Sequence, residues 1–386
     1  MTVRIGTGLS THADPRVGAI EAATAARDGL GGSRCSVAVL FAAGTHLADP
    51  HATLEGVHEA LLPGWAVGCG AGGVLGSGRE IEEGTAVAVW AAALAGEVEA
   101  FHASAREAED GLEIAGLPDL EGASAAVLLA DPYSFPTDQL LRGLGDRAPG
   151  VPVLGGVSSA RTLDGDAALF CGEEVHARGA VGLRLEGVDV VPCVSQGAAP
   201  VGPEMTITAA DGHVIHELAG VPALTKLREV MADLDASERA LTASGLLVGI
   251  ALASGSPDYA HGDFLVRSLL GADEESKAVS VGAQVATGQV VRLHARDAES
   301  AARDLDDALA LRRTALGGAP AAGALVFTCN GRGAAMFGEP DHDAGSVQRG
   351  LGGAPAAGFF AAGEIGPVGG ENFLHGFTAT LAIFAA

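Results

Sequence analysis

Aromatic residues make up only 4% of this 386-residue chain, so its core must be built from Val, Leu and Ala, with backbones approaching closely. Basic residues are scarce as well: 23 Lys and Arg stand against 48 Asp and Glu, a formal charge of -25. A field of that sign repels phosphate backbones and anionic headgroups, which argues against nucleic acid and membrane surfaces as partners. No apolar run approaches the roughly 18 residues a membrane span needs, and no basic-then-apolar leader opens the sequence. A cytoplasmic protein is expected. The five cysteines, Cys35, Cys69, Cys171, Cys193 and Cys329, are odd in number and scattered, without CxxC or Cys/His ligand spacing. Free thiols are expected, with no disulfide framework, no metal and no cofactor. GxSxG, Walker A, HExxH and EF-hand patterns are also missing, and GTGLSTHADP near the N-terminus is too loose for a dinucleotide fingerprint. These absences favour a binder over a catalyst, and no catalytic residue is assigned.

What the chain has is glycine, 57 residues of it, and self-similarity. Residues 36–95 read as strand (SVAVLFAAG), helix (Pro50 to Leu62), strand into a Gly-rich turn (WAVGCGAGGVLG) and strand (TAVAVWAAAL). Residues 124–186 repeat the order with SAAVLLADP, a helix from Thr137 to Leu144, VPVLGGVSSAR and an interrupted hairpin ending in GAVGLRL. Residues 323–386 do so again with GALVFTCNGRG, a helix from Ala344 to Leu351, AGFFAAGEIGPVGG and HGFTATLAIF. A degenerate fourth copy is suggested between Leu246 and Leu293, with a helix at Phe264 to Leu270. Asp211-Gly212 predicts a tight hairpin, Pro222 starts a helix, and another helix runs from Arg296 to Arg312. The expected fold is α/β with an α+β tendency. Repeated βαββ units form mixed, largely antiparallel sheets with helices outside, in two associated domains, 1–187 and 188–386.

Polar residues follow the first strand of each copy, where βα loops present ligand groups: Thr45 and His46, Asp131 and Tyr133, Asn330 and Arg332. Asn330-Gly331-Arg332-Gly333 is the sharpest element, because an Arg held between glycines can offer its planar fork to a carboxylate or phosphate. Alternatively the Arg bonds to carbonyls or to Glu364, a lone carboxylate in AAGEIGPVGG that must be paired if buried. Gly363 and the other turn glycines allow exposed N–H groups to line a concavity, and the SQGAAPVG segment adds Gln196. Cys329 at the strand end, with His375 in the same copy, leaves a thiol-dependent enzyme open. The acidic runs Glu80 to Glu83, Asp273 to Glu275 and Asp304 to Asp307 read as solvated faces, or as the surface of an interaction scaffold that meets a basic partner.

At VGCGAGGVLG, VLGGVSSAR, VSQGAAPVGP with MTITAADGHVIHELAGVPAL, and FTCNGRGAAMFG with GFFAAGEIGPVGGENFLHGFTATLAIF, the sequence resembles the FIST family of F-box and intracellular signal transduction proteins. The resemblance covers nearly the whole chain, as an N-terminal and a C-terminal FIST domain. It implies a sensory protein that binds a small ligand such as an amino acid or small carboxylate. No F-box, kinase, cyclase or receiver segment accompanies it, so a separate signalling protein is the expected partner. The residues expected at the ligand are Cys329, Asn330, Gly331, Arg332, Gly363, Glu364, His375 and Gln196.

Overall fold

The computed structural model describes residues 3–108, 111–242, 245–252, 264–317 and 319–386. They form two compact units, one of Met1–Ser195 with Leu305–Ala386, the other of Gln196–Asp304.

The first unit opens with β1 (Arg4–Ser10) and α1 (Pro15–Gly29). Asp14 caps α1 by accepting the Val17 N–H at 3.0 Å, and Pro15 sits in the first turn, where its missing N–H costs nothing. Then come β2 (Val37–Ala43), α2 (Pro50–Leu61), β3 (Trp65–Gly70), the short hairpin β4 (Val74–Gly76) and β5 (Arg79–Ile81), and β6 (Ala86–Ala93). β2 and β3 are parallel across α2, β6 returns antiparallel on the other side of β2, and β1 flanks β6. A second set follows: β7 (Glu97–Ala108), β8 (Gly111–Ala115), β9 (Ala125–Ala130), α3 (Thr137–Arg147), β10 (Val153–Val157), the hairpin β11 (Leu169–Cys171) and β12 (Glu174–His176), and β13 (Ala180–Glu186). Its pairings are the same, with β9 parallel to β10, β13 antiparallel to β9, and β7 flanking β13.

After β14 (Val190–Ser195) the chain passes into the second unit: β15 (Ala198–Asp211), β16 (Val214–Leu218), β17 (Val221–Pro222), α4 (Ala223–Asp233), α5 (Ala236–Leu241), β18 (Leu246–Ala251), β19 (Phe264–Ala272), β20 (Val279–Val281) and β21 (Val290–Arg296). Every pairing here is antiparallel, and the ladder β15-β21-β18-β19-β20-β16 closes on itself through β15–β16. Its core joins Val201, Ile207, Val281 and Leu293 to Leu224 and Leu227 of α4. Asp211 and Val214 pair around the expected Asp-Gly turn, with Gly212 at φ +58°. The helix expected at Phe264 to Leu270 is instead β19. Its Leu residues favour a helix when read alone, but ladders on both sides override that weak preference, and among the described residues no fourth βαββ copy is seen. Residues 253–263 of that expected copy lie outside the described residues.

The chain then runs through α6 (Ala298–Ala315), which belongs to the first unit from Leu305 onward, β22 (Ala321–Cys329), the short α7 (Ala334–Phe337), α8 (His342–Gly350), β23 (Ala356–Ala361), the hairpin β24 (Glu364–Val368) and β25 (Glu371–His375), and β26 (Ala379–Ala385). β22 and β23 are parallel, β26 is antiparallel to β22, and β14 flanks β26. Three βαββ repeats therefore share one connectivity, and each lends its hairpin to another. β4 joins β23, β11 joins β3, and β24 joins β10, closing a cycle. The resulting sheets are β1-β6-β2-β3-β11-β12, β8-β7-β13-β9-β10-β24-β25 and β14-β26-β22-β23-β4-β5.

Glycine makes the parallel pairs possible. A Cβ at Gly68, Gly155 or Gly358 would stand 2.0, 1.9 or 1.7 Å from the carbonyl oxygen of Leu40, Leu128 or Val326. Inner faces of all three sheets form one apolar core, where Phe41 stacks on Phe359 at 4.9 Å and meets Phe327 edge-on at 6.4 Å. The helices cover the outer faces: α1 and α2 on the first sheet, α3 on the second, α6 and α8 on the third.

Candidate functional site

The third repeat concentrates charge where its parallel strands end. Beyond β22 the chain turns sharply, the Arg332 N–H donating to the Cys329 carbonyl at 2.8 Å and the Asn330 N–H to the Ala361 carbonyl at 2.9 Å. Asn330 and Gly331 are exposed, Cys329 is half-buried, and the Gly331 N–H points at Cys329 Sγ at 3.5 Å. Arg332, by contrast, is only 1% exposed.

The carboxylate that takes the Arg332 fork is Asp343, in the first turn of α8, rather than Glu364. Nε donates to Oδ2 at 2.8 Å and Nη2 to Oδ1 at 2.9 Å, while Thr328 Oγ1 donates to Oδ2 at 2.6 Å and His342 Nδ1 lies 3.1 Å from Oδ1. Burial alone would raise the Asp343 carboxyl. The Arg332 charge, then the hydrogen bonds from His342, Arg332 and Thr328, outweigh it and hold the group well below the usual carboxylate range. Phe337 adds a face to the pair: the Arg332 guanidinium carbon lies 5.2 Å from its ring centre and His342 stacks on it at 3.6 Å. The guanidinium is thus a strut that fixes the turn, with Asp343 as its bidentate partner and Glu364 close enough to feel its charge.

Glu364 opens β24 and is fully buried. Its Oε2 accepts from the Thr378 N–H at 3.1 Å and from Thr378 Oγ1 at 2.8 Å; Oε1 receives no hydrogen bond of good geometry. Burial lifts its pKa well above the usual carboxylate range. The Thr378 bonds, the nearby Arg332 charge and, least, the Cys329 thiol pull the other way. Its setting is unusual within the repeat pattern. Val74, Leu169 and Glu364 hold the same place in the three exchanged hairpins, register-paired with Phe359, Cys69 and Gly156, and Val74 and Leu169 belong to the central apolar core.

The first repeat's hairpin brings two more carboxylates to this loop. Glu80 Oε1 accepts the Ala344 N–H at 2.8 Å and Glu82 Oε1 the Ala334 N–H at 2.8 Å. Glu80 is 7% exposed, so the reading of Glu80 to Glu83 as a wholly solvated run is corrected. Burial pushes its carboxyl up to about 7, helped by the Asp343, Glu82 and Asp341 charges and opposed by the Ala344 N–H. The ends of the three repeats are tied by Ser159, whose Oγ accepts the Gly72 N–H at 2.9 Å and donates to the Phe360 carbonyl.

A family model described as the FIST N domain matches residues 36–221, and one described as the FIST C domain matches residues 223–367. The chain belongs to the FIST family. Relatives match over almost their full length: uncharacterized protein Rv0628c of Mycobacterium tuberculosis is 43% identical over 383 residues, 99% of this chain and 100% of the relative. Uncharacterized protein Mb0898c of Mycobacterium bovis is 42% identical over 384 residues, 99% of each chain.

Within this FIST protein the other expected residues separate. His375 faces Glu364 across the β24–β25 ladder and its Nε2 lies 2.9 Å from the Gly366 carbonyl oxygen, while the Gly363 carbonyl accepts the Val157 N–H at 2.8 Å. Gln196 begins the second unit, its N–H donating to Asp304 Oδ2 at 2.7 Å. In the first repeat His46, at the place of Arg332, is buried with Nδ1 3.0 Å from Thr53 Oγ1, and burial lowers its pKa to about 4. In the second, Asp131 accepts from Arg161 Nη2 at 2.8 Å on both oxygens and from Nε at 3.2 Å on Oδ1, and Arg161 lies over Tyr133 at 4.4 Å. Asp343, Thr378, Ser159 and Glu80 were not foreseen. Asp343 had one visible signal, a carboxylate in the first turn of the helix that follows the Arg loop.

Proposed function

We propose that this protein is a small-ligand sensor in which Glu364 receives the ammonium or other donor group of an amino-acid-like ligand. FIST domains are associated with sensory and signal-transduction roles, and a separate protein is the proposed receiver of the signal. The observation that carries the reading is Glu364 itself. A carboxyl held in a core position that the other hairpins give to Val74 and Leu169 is costly to ionise, and an ammonium or other donor brought beside it offsets that cost. The exposed Asn330–Gly331 turn and half-buried Cys329 lie at the end of the strand beside it, and the exposed Asn330 amide supplies donors for the ligand's carboxylate end. Because Arg332 is committed to Asp343, it positions this turn and is not itself the anion grip.

Differential scanning fluorimetry tests this with amino acids, the matching acids without the amine, and the matching amines without the acid. Amine-bearing compounds are expected to raise Tm in the wild type and to lose that effect in Glu364→Gln. Stabilisation by amine-free acids that survives Glu364→Gln would remove the assigned site.

A further inference from the structure

The three repeats differ on their outer faces. In the first, α1 lies against α2; in the third, α6 lies against α8; in the second, the β7–β8 hairpin and the loop after it come at that point of the chain order, and no helix packs on α3 among the described residues. Counting back from the equivalent residues Cys69, Gly156 and Phe359 aligns Gly56, Gly143 and Ser346, and the buried positions of the helices agree: Leu54 with Leu141 and Ala344, Val57 with Leu144 and Val347. Gly56 and Ser346 are buried. A Cβ on Gly56 would stand 2.6 Å from the Arg16 carbonyl oxygen and 2.8 Å from Ala19 Cβ, so α1 touches α2 at that seam. One on Gly350, a turn further along α8, would stand 2.6 Å from Leu309 of α6. Gly143 is exposed, with nothing within 4 Å of its Cβ position.

Beside Gly143 lies a cavity of about 760 Å³. Its floor is apolar, from Leu140 and Leu144 of α3 and from Ile114, Leu117 and Leu120 opposite. Its rim carries Glu113, bridged to Arg106, together with Asp119 and Glu121 against Arg147. We infer that this groove is the docking site for one amphipathic helix of a partner protein, with a small residue over Gly143 and basic residues toward the acidic rim. Two of the three repeats place a helix against the equivalent one, and the first shows the seam of small residues that suits a glycine opposite, Gly18, Ala19, Ala22 and Ala26 of α1, where α6 of the third uses Leu305 and Leu309. The excess of carboxylates on the rim sets the sign of the partner's flank. Helix docking here is independent of whether Glu364 binds a ligand.

The probe is a labelled peptide of residues 14–30 carrying Glu21→Lys and Asp28→Lys, both exposed positions, added to the full-length protein and followed by fluorescence anisotropy. Saturable binding is expected, at least tenfold tighter than for the unsubstituted peptide and at least tenfold weaker in Gly143→Trp. Gly143→Ala keeps the seam small and retains binding, which separates a blocked groove from a damaged fold. Absence of binding, or binding indifferent to Gly143→Trp, overturns the inference. So does a concentration-dependent dimer in sedimentation velocity that Gly143→Trp abolishes, since the occupant would then be a second copy of this chain.

Discussion

Glu364 stands in the third hairpin where Val74 stands in the first, each paired in register with the middle strand of another repeat. One position is filled by an isopropyl group in the central core and the other by a carboxyl, which is why burial dominates the titration of Glu364. Its folded pKa is raised, so the stability it contributes is complete below the ordinary carboxylate value and is lost as pH rises through the folded value. Glu364→Gln keeps the Thr378 contact without a charge. Urea titrations should show equal midpoints for the two proteins near pH 4. Above it the variant should gain an advantage of about 1.4 kcal/mol per pH unit until the folded carboxyl has ionised. Parallel curves across that range would show that the carboxyl is not desolvated.

Arg332 and Asp343 make the opposite case. Both are buried, so removing either partner leaves an unpaired charge and should cost about 3–5 kcal/mol, while Arg332→Met with Asp343→Leu should recover most of it. The Asp343 carboxyl is depressed, and its contribution is therefore present above the ordinary value and lost as pH falls through the folded one. A wild-type acid transition below about pH 4 that is blunted in the double variant is the expected result. A double variant no better than the worse single would mean the pair does more than neutralise itself.

Local pattern carried much of the fold. VAVLFAA, AAVLLA and GALVF announce strands, and Pro50 marks the start of α2, while α1 was not anticipated. Short-range signals do not say which sheet a hairpin joins, because β4, β11 and β24 are chosen by partners far away in sequence. The same distance hid the site. The sequence offered Arg332 a ligand anion, carbonyls or Glu364, and only the placement of α8 brings Asp343 to it. Glu364 was legible as an oddity, yet its meaning needs the superposition on Val74 and Leu169. FLVRSLL misled because its Leu-rich helical preference is smaller than the gain from two strand neighbours.

Glu80 supplies a separate pH signature. Its carboxyl is raised from 4.5 to about 7 by burial, so the stability it contributes is full below about pH 4.5 and is lost between there and about pH 7. That displacement corresponds to roughly 3 kcal/mol at most. Glu80→Gln should lessen the slope of the stability profile in this window, leaving the share that belongs to Glu364, and should leave the slope unchanged above about pH 8. Thermal melts at half-unit intervals will show it, and a slope in Glu80→Gln equal to that of the wild type would assign the titration to another group.

Ser159 links the repeats at their strand ends, accepting from Gly72 of the first and donating to Phe360 of the third. Ser159→Ala removes both bonds. Gly72 is exposed, so water can replace part of what is lost, and the cost should be about 1–2 kcal/mol. If the three repeats unfold as one unit through their exchanged hairpins, the denaturant midpoint should fall while the slope stays constant, because the area exposed on unfolding is unchanged. A shallower slope or a second transition in Ser159→Ala would show that the hydroxyl, and not the hairpin exchange, makes the three repeats cooperative.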